Sequence, residues 1–125
     1  MTGMTISQIR TITAFVEDQD RAKRFYTEVL GFTVRGDQVT GNNRWLEVAP
    51  GDSGTAIVLH KPFPGASGGT LTGVILDSDD LDGAVARLRE AGAQVEGPSE
   101  MPWGRQATFA DPDGNSFVLS SARDS

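Results

Sequence analysis

Few side chains in this sequence could carry out chemistry. The 125 residues include one histidine, His60, and no cysteine. The lack of cysteine excludes disulfides, thiolate nucleophiles and thiolate metal sites, and it leads us to expect a cytoplasmic protein. Ser99 is a poor candidate for the nucleophile of a catalytic triad, because the histidine that would activate it is far away in the sequence. No nucleotide-binding or hydrolase motif is present in the sequence.

The acidic residues have positions that favour a structural role. Glu17 and Asp18 lie at the N-terminus of one predicted helix, and Asp77, Asp79 and Asp80 lie at the N-terminus of a second one. Carboxylates at such positions accept hydrogen bonds from free backbone amides and interact favourably with the helix dipole. The formal net charge of −6 argues against nucleic acid and against an anionic membrane as partners, because both bind basic surfaces.

Hydrophobic periodicity predicts two copies of a βαβββ unit in one α+β domain that spans residues 1–125. The first copy covers residues 6–60, the second covers residues 71–121, and residues 61–70 form a linker rich in Pro and Gly. The predicted helices are residues 20–31 and 80–92, and the predicted strands are residues 9–17, 32–36, 43–50, 55–63, 70–80, 93–98, 104–112 and 115–121.

The two halves of the sequence repeat each other at an offset of about 60 residues. Gly31 at the end of the first predicted helix matches Gly92 at the end of the second, and Val58 matches Val118 in the last strand of each half. One such unit leaves a face of its sheet uncovered, whereas two units can join their sheets into a curved trough of about eight strands with the helices outside. A concave trough of this kind is a natural cavity for a ligand.

Four stretches spread over almost the whole chain carry a resemblance to a known family. They are FVEDQDRAKRFYTEVLGFTVR, RWLEVAPGDSGTAIVL, LDSDDLDGAVARLREAGAQVEGP and PWGRQATFADPDGNSFVL. Together with the duplication, they make the chain similar to the vicinal oxygen chelate superfamily, which includes glyoxalase I, extradiol dioxygenases and the fosfomycin- and bleomycin-resistance proteins. The resemblance implies paired βαβββ modules and a homodimer with ligand pockets between its subunits. It leaves the activity open, because this fold carries both enzymes and binding proteins.

The positions that hold metal ligands in this superfamily carry other residues here. The matching positions on the first strand of each half, on the fourth strand and on the last strand are Thr11, Gly73, Val58 and Val118. None of these side chains offers a nitrogen or a carboxylate, and a divalent metal site needs several such ligands. The resemblance therefore implies a member without metal or other cofactor, and with a roomy apolar floor in its trough.

Aromatic residues remain as candidates for contact with a ligand. Trp103 lies in a loop where similar binding proteins of the superfamily stack a tryptophan on a planar ligand, but it could also pack as a lid on its own domain. Trp45, Phe15 and Phe109 could line the trough or fill the core, and Phe63 is expected at the mouth. The complete set of predicted ligand-binding residues is Trp103, Trp45, Phe15, His60, Phe63, Arg105 and Phe109.

The two polar members of this set have alternative roles. His60 could contact a ligand, or it could be a strand-end residue that is held by a protein hydrogen bond. Arg105 could pair with an acidic or carbonyl group of a ligand, or it could be a solvated strand end. Glu47 lies on a neighbouring predicted strand, so a pair between Glu47 and His60 is conceivable, but two ligands do not make a catalytic metal centre.

Three functions are consistent with these residues. The favoured one is a metal-independent binding protein that sequesters a bulky aromatic or apolar natural product, as in antibiotic resistance of the bleomycin type. The alternative is a metal-free isomerase, cyclase or lyase for a natural-product intermediate, with His60 or Glu47 as its general base. The third is a structural or regulatory module whose trough has collapsed around Trp45 and Phe15. The expected partners are the natural product and a second copy of the chain.

Overall fold

The computed structural model describes residues 5–52 and 54–121. Its elements follow the order βαβββ twice, as the sequence predicts. The first module consists of β1 (Thr11–Phe15), helix α1 (Gln19–Arg24), which continues as a π-helical turn (Phe25–Val29), and strands β2 (Thr33–Thr40), β3 (Asn43–Ala49) and β4 (Ala56–His60). The second consists of β5 (Val74–Ser78), helix α2 (Leu81–Glu90), β6 (Val95–Met101), β7 (Gly104–Ala110) and β8 (Ser116–Ser121). Within these described ranges, no helix has the length and hydropathy of a membrane span.

An aspartate side chain begins each helix. Asp18 and Asp80 each accept a hydrogen bond of 3.0 Å from the backbone N–H three residues later. This bond satisfies one of the amides that a helix leaves free at its N-terminus, so α1 begins one residue earlier than predicted. Asp20, in the first turn of α1, forms an ion pair of 2.7 Å with Arg44 of β3.

Two strands are longer than predicted because each forms a hairpin with the next strand. β2 continues to Thr40, which pairs with Asn43 at the start of β3. β6 continues to Met101, which pairs with Gly104 at the start of β7. Pairing up to a tight turn satisfies the backbone groups of residues whose side chains are too polar to predict a strand.

Each module forms its own four-stranded sheet. The strand order is β1-β4-β3-β2 in the first sheet and β5-β8-β7-β6 in the second. β1 pairs with β4 and β5 with β8 in parallel, and the other pairs are antiparallel. The predicted α+β architecture is confirmed. Among the described strands, no hydrogen-bonded pair connects the two sheets.

One hydrophobic core joins the modules. The ring of Phe25 in the π-helical turn lies 6.5 Å from that of Phe109 in β7, and the ring of Tyr26 lies 6.1 Å from that of Phe117 in β8.

Each sheet contributes one face to this core, so its opposite face points outward. We call these outward faces the first open face, on the first sheet, and the second open face, on the second sheet. The first open face carries Thr11, Thr13, Phe15, Trp45, Glu47, Val58 and His60, and the second carries Ile75, Asp77, Gln106, Thr108, Ser116, Val118 and Ser120.

A buried set of hydrogen bonds, which we call the Asn115 interlock, ties the modules together. The carboxamide nitrogen of Asn115 donates to the carbonyl oxygen of Phe15 at 3.0 Å and to the carboxylate of Asp111 at 2.9 Å. The amide oxygen of Asn115 accepts from the backbone N–H of Leu71 at 3.0 Å, and the hydroxyl of Tyr26 donates to Asp111 at 2.7 Å. Burial, and then the negative charge of Asp111, raise the pKa of Tyr26 well above its usual value.

We expect the substitution Asn115→Ala to lower the free energy of unfolding by about 2–3 kcal/mol, because the N–H of Leu71 and the carboxylate of Asp111 each lose a buried partner. Urea denaturation followed by circular dichroism measures this change. Asn42→Ala, at an exposed turn position, is the matched control and should change stability by less than about 0.5 kcal/mol. Equal effects of the two substitutions would contradict a stabilising role for the interlock.

Candidate functional site

Four aromatic rings lie side by side at one end of the first open face. The ring centroids of Phe15 and Phe63 are 5.4 Å apart, those of Phe63 and His60 are 4.8 Å apart, and those of His60 and Trp45 are 6.1 Å apart. We call this row the aromatic arc. All four residues belong to the predicted ligand-binding set, and the structure brings them together.

Strand register explains why these rings meet. Phe15 in β1 is directly opposite His60 in the parallel strand β4. Trp45 lies on the next strand, β3, which is antiparallel to β4. Phe63 follows β4 in a turn whose backbone bond runs from the N–H of Ala66 to the carbonyl of Phe63 at 2.8 Å. Side chains on one face of adjacent strands contact each other directly, so three strands and one turn build a continuous aromatic surface.

Hydrogen bonds fix the orientation of two rings in the arc. The indole N–H of Trp45 donates to Oε2 of Glu47 at 2.6 Å. Nδ1 of His60 lies 2.7 Å from the carbonyl oxygen of Lys61, and Nε2 lies 2.7 Å from Oδ1 of Asn43. A carbonyl oxygen only accepts hydrogen bonds, so Nδ1 of His60 carries a proton. In a neutral ring Nε2 is then an acceptor, and the amide of Asn43 must turn its NH₂ group toward it. Among the described contacts, Glu47 and His60 are not bonded to each other.

Part of the arc is accessible to a ligand. Trp45 is 37% exposed and Phe63 is 54% exposed, whereas His60, which lies between them in the row, is buried. A flat aromatic surface of this kind can stack on a planar molecule, and the indole and imidazole provide polar edges. The geometry is suited to binding by apolar contact and stacking.

The positions that match the superfamily's metal ligands lie on both open faces. Val58 lies between Thr13 and Glu47 in the middle of the first open face. Val118 lies between Ile75 and Thr108 in the middle of the second. Over residues 5–52 and 54–121, no group of three or more His, Cys, Asp or Glu side chains has the arrangement of a metal site.

The other three predicted ligand-binding residues lie away from the arc. Trp103 is 69% exposed in the turn between β6 and β7, and its indole N–H donates to Oε1 of Gln106 at 3.2 Å. Arg105 donates two hydrogen bonds to Asp82 of α2 at 2.9 and 3.1 Å, and this pairing raises the pKa of Arg105. Phe109 is buried in the core, where its ring stacks on another phenylalanine at 5.3 Å. The ring of Phe109 is therefore unavailable at either open face.

Asn43 is a site residue that the sequence interpretation missed. It holds His60 from the start of β3, a position with no motif or unusual spacing. The signal that could have found it is the hairpin register, which places Asn43 beside the end of β4.

The sequence profile of the Glyoxalase/Bleomycin resistance protein/Dioxygenase superfamily matches residues 8–119 of the chain. The chain belongs to this superfamily. The expected family is thus confirmed, and with it the paired βαβββ modules that carry the two open faces.

Relatives within the superfamily include proteins with solved structures. TnmS3, an antibiotic binding protein from Streptomyces sp. CB03234, is 45% identical, with a TM-score of 0.88 over 97% of this chain and 100% of that chain. A glyoxalase/bleomycin resistance protein from the same strain is 46% identical, with a TM-score of 0.80 over 91% of this chain and 99% of that one. The uncharacterized protein YetH of Bacillus subtilis (strain 168) is 36% identical over 91% of this chain and 98% of its own length.

Proposed function

We propose that this protein is a metal-independent binding protein that sequesters a bulky aromatic or apolar natural product of the antibiotic type. The observation that carries the proposal is the partly exposed aromatic arc of Phe15, Phe63, His60 and Trp45. The likeness to TnmS3 over nearly the whole chain supports it, since that relative is an antibiotic binding protein.

Burial of the ligand would be the whole mechanism. Each good aromatic pair contributes about 0.5–1.5 kcal/mol beyond area burial, and each Å² of apolar surface removed from water contributes about 25 cal/mol. Trp45 is already held in one orientation by Glu47, so little of this energy would be lost in ordering the ring.

A second copy of the chain would complete the site. The two open faces point away from one shared core, so a single chain presents two half-troughs. The second open face carries Ile75, which is 66% exposed, and its hairpin carries Trp103, which is 69% exposed. A homodimer that sets the first open face of one copy against the second open face of the other would cover these side chains and bring Trp103 toward the arc.

Catalysis by the arc has less support than binding. Glu47 accepts a hydrogen bond from Trp45, and His60 is held at both ring nitrogens by Asn43 and Lys61. A general base has to reach the proton that it removes, and both candidates already have protein partners. A collapsed, filled trough is also disfavoured, since Trp45 remains 37% exposed.

Titration of the protein with planar aromatic and glycopeptide antibiotics should give saturable quenching of tryptophan fluorescence for at least one compound. The quenching should be the same with and without EDTA, because apolar burial and stacking need no metal. The bound compound should be recovered with unchanged mass by mass spectrometry. A changed mass would favour the metal-free enzyme, and loss of quenching in EDTA would contradict metal independence.

The substitution Phe63→Ala should weaken binding of that compound about tenfold, because it removes one stacking surface worth about 1.4 kcal/mol. It should leave the unfolding midpoint nearly unchanged, since the ring is 54% exposed. Val39→Ala is the matched control, because it removes an apolar side chain that is 70% exposed near the end of β2. Val39 pairs with Arg44, so it lies on the face of the hairpin opposite Trp45. Unchanged affinity in Phe63→Ala would exclude the arc as the ligand contact.

Sedimentation equilibrium should give the mass of a dimer for the wild type and of a monomer for Ile75→Asp. The reason is that the substitution places a charge within the proposed subunit contact, where it would lose its hydration. The monomeric variant should also bind the ligand more weakly than the dimeric wild type does. Val39→Asp, which introduces the same charge on the exposed β2–β3 hairpin, should remain a dimer. A monomeric wild type that binds its ligand would contradict the proposal that a second copy completes the site.

A further inference from the structure

The carboxylate of Glu47 lies at the edge of the aromatic arc and has only part of its hydrogen-bonding capacity in use. Its Oε2 accepts from the indole N–H of Trp45 at 2.6 Å. Among the described residues, its Oε1 has no hydrogen-bond partner, and the carboxylate has no ion-pair partner. A carboxylate has about four lone-pair positions, so several remain available. The side chain is half-buried, and a charge that is partly removed from water is stabilised by an opposite charge.

Strand register explains why Glu47 lacks a second partner in the protein. Gly36 of β2 and Val58 of β4 lie directly opposite it on the two flanking strands, and neither offers a polar side chain. A methyl group at position 36 would touch only Cβ of Glu47, at 4.0 Å, so the space on that side is open. The next residues on the same face of β3 are Trp45 and Ala49, of which only Trp45 can donate a hydrogen bond.

No basic side chain is placed to neutralise this carboxylate. Among the described strand pairs, the residues on the first open face include no Lys or Arg. Arg44 lies on the opposite face of β3, where it binds Asp37 at 2.9 Å, and Arg35 in the bulge of β2 donates to the carbonyl oxygen of Gly54 at 2.8 Å. The described pairs place no Lys or Arg on the second open face either, so a second copy would bring no positive charge from that face.

The rings of the arc favour the same kind of ligand group as the carboxylate does. A cation within about 6 Å of the centre of an aromatic ring is attracted to the face of that ring, most strongly for tryptophan. A neutral planar molecule would use the exposed rings of Trp45 and Phe63 and leave Glu47 unpaired. A planar molecule with a protonated amine would use the rings and the carboxylate together, whereas an anion would be repelled.

We propose that the ligand held at the aromatic arc carries a protonated amine on its aromatic or apolar body, and that Glu47 selects this amine. The inference rests on the proposed function, because it names the ligand class of the same site. The ammonium group donates to Oε1 of Glu47 beside the indole of Trp45, while the rest of the ligand packs on Phe15 and Phe63. One carboxylate thus both orients Trp45 and binds the cation.

Isothermal titration calorimetry with two matched pairs of compounds tests this selection. Daunorubicin carries a protonated amino sugar on a planar ring system, and N-acetyldaunorubicin is its neutral counterpart. The smaller pair is 2-(aminomethyl)naphthalene and 2-naphthalenemethanol. At neutral pH each amine should bind about tenfold more tightly than its neutral counterpart, as expected for one hydrogen bond between charged groups. Added salt should weaken binding of the amines more than that of the neutral compounds, because it screens the charges.

The variant Glu47→Gln removes the charge and keeps an oxygen that can accept from the indole of Trp45. It should weaken binding of the amines about tenfold and leave binding of the neutral compounds unchanged, so that the preference disappears. Glu90→Gln is the matched control, since it removes an exposed carboxylate on α2 and changes the net charge equally. This control should keep the preference for the amines.

Two sets of results separate this inference from the proposed function. Equal binding of amine and neutral compound by the wild type, or a preference that survives in Glu47→Gln, would overturn selection of an amine and leave sequestration intact. Absence of saturable binding by both amines would also overturn it. The proposed sequestration itself fails only if the antibiotic titration described above gives no saturable quenching.

Discussion

The fold depends on the carboxamide of one buried residue, Asn115. A buried amide must satisfy all its donors and acceptors, since an unpaired group in the interior costs about 1–3 kcal/mol. Here its partners come from the end of β1 in the first module, from the segment before β5 and from the turn before β8. Together with the shared hydrophobic core, this side chain fixes the position of the first module relative to the second.

The same contact explains how the candidate site is built. The carbonyl oxygen of Phe15 accepts both from Asn115 and from the backbone N–H of Gly69, each at 3.0 Å, while the ring of Phe15 lies on the first open face. The interlock therefore fixes the end of β1, and the parallel register with β4 then places His60 next to Phe15. The aromatic arc follows from backbone pairing that is anchored in the core, and each ring needs only to occupy the correct face of its strand.

Much of this architecture could be predicted from the sequence, because periodicity and repetition are local signals. The eight strands, both helices and the duplication came from such patterns, and four of the seven predicted ligand-binding residues lie together. Phe109 lies in the core because Ala107 and Phe109 share one face of β7, whereas Gln106 and Thr108 share the other. That alternation of polar and apolar residues was a usable signal. The pairing of Arg105 with α2, by contrast, joins residues far apart in sequence and has no local signature.

The duplicated modules use equivalent positions in different ways. Thr55 in the first module matches Asn115 in the second. Its hydroxyl donates a hydrogen bond to the carbonyl oxygen of Ile9 at 2.7 Å, so this contact stays within one module. Asn115 makes its equivalent local bond and also reaches across to Phe15. Because that crossing bond ends on a main-chain oxygen, it does not depend on which side chain residue 15 carries. Substitutions at residue 15 can therefore change the ring, and with it the ligand that the surface prefers, without weakening the contact between the two modules.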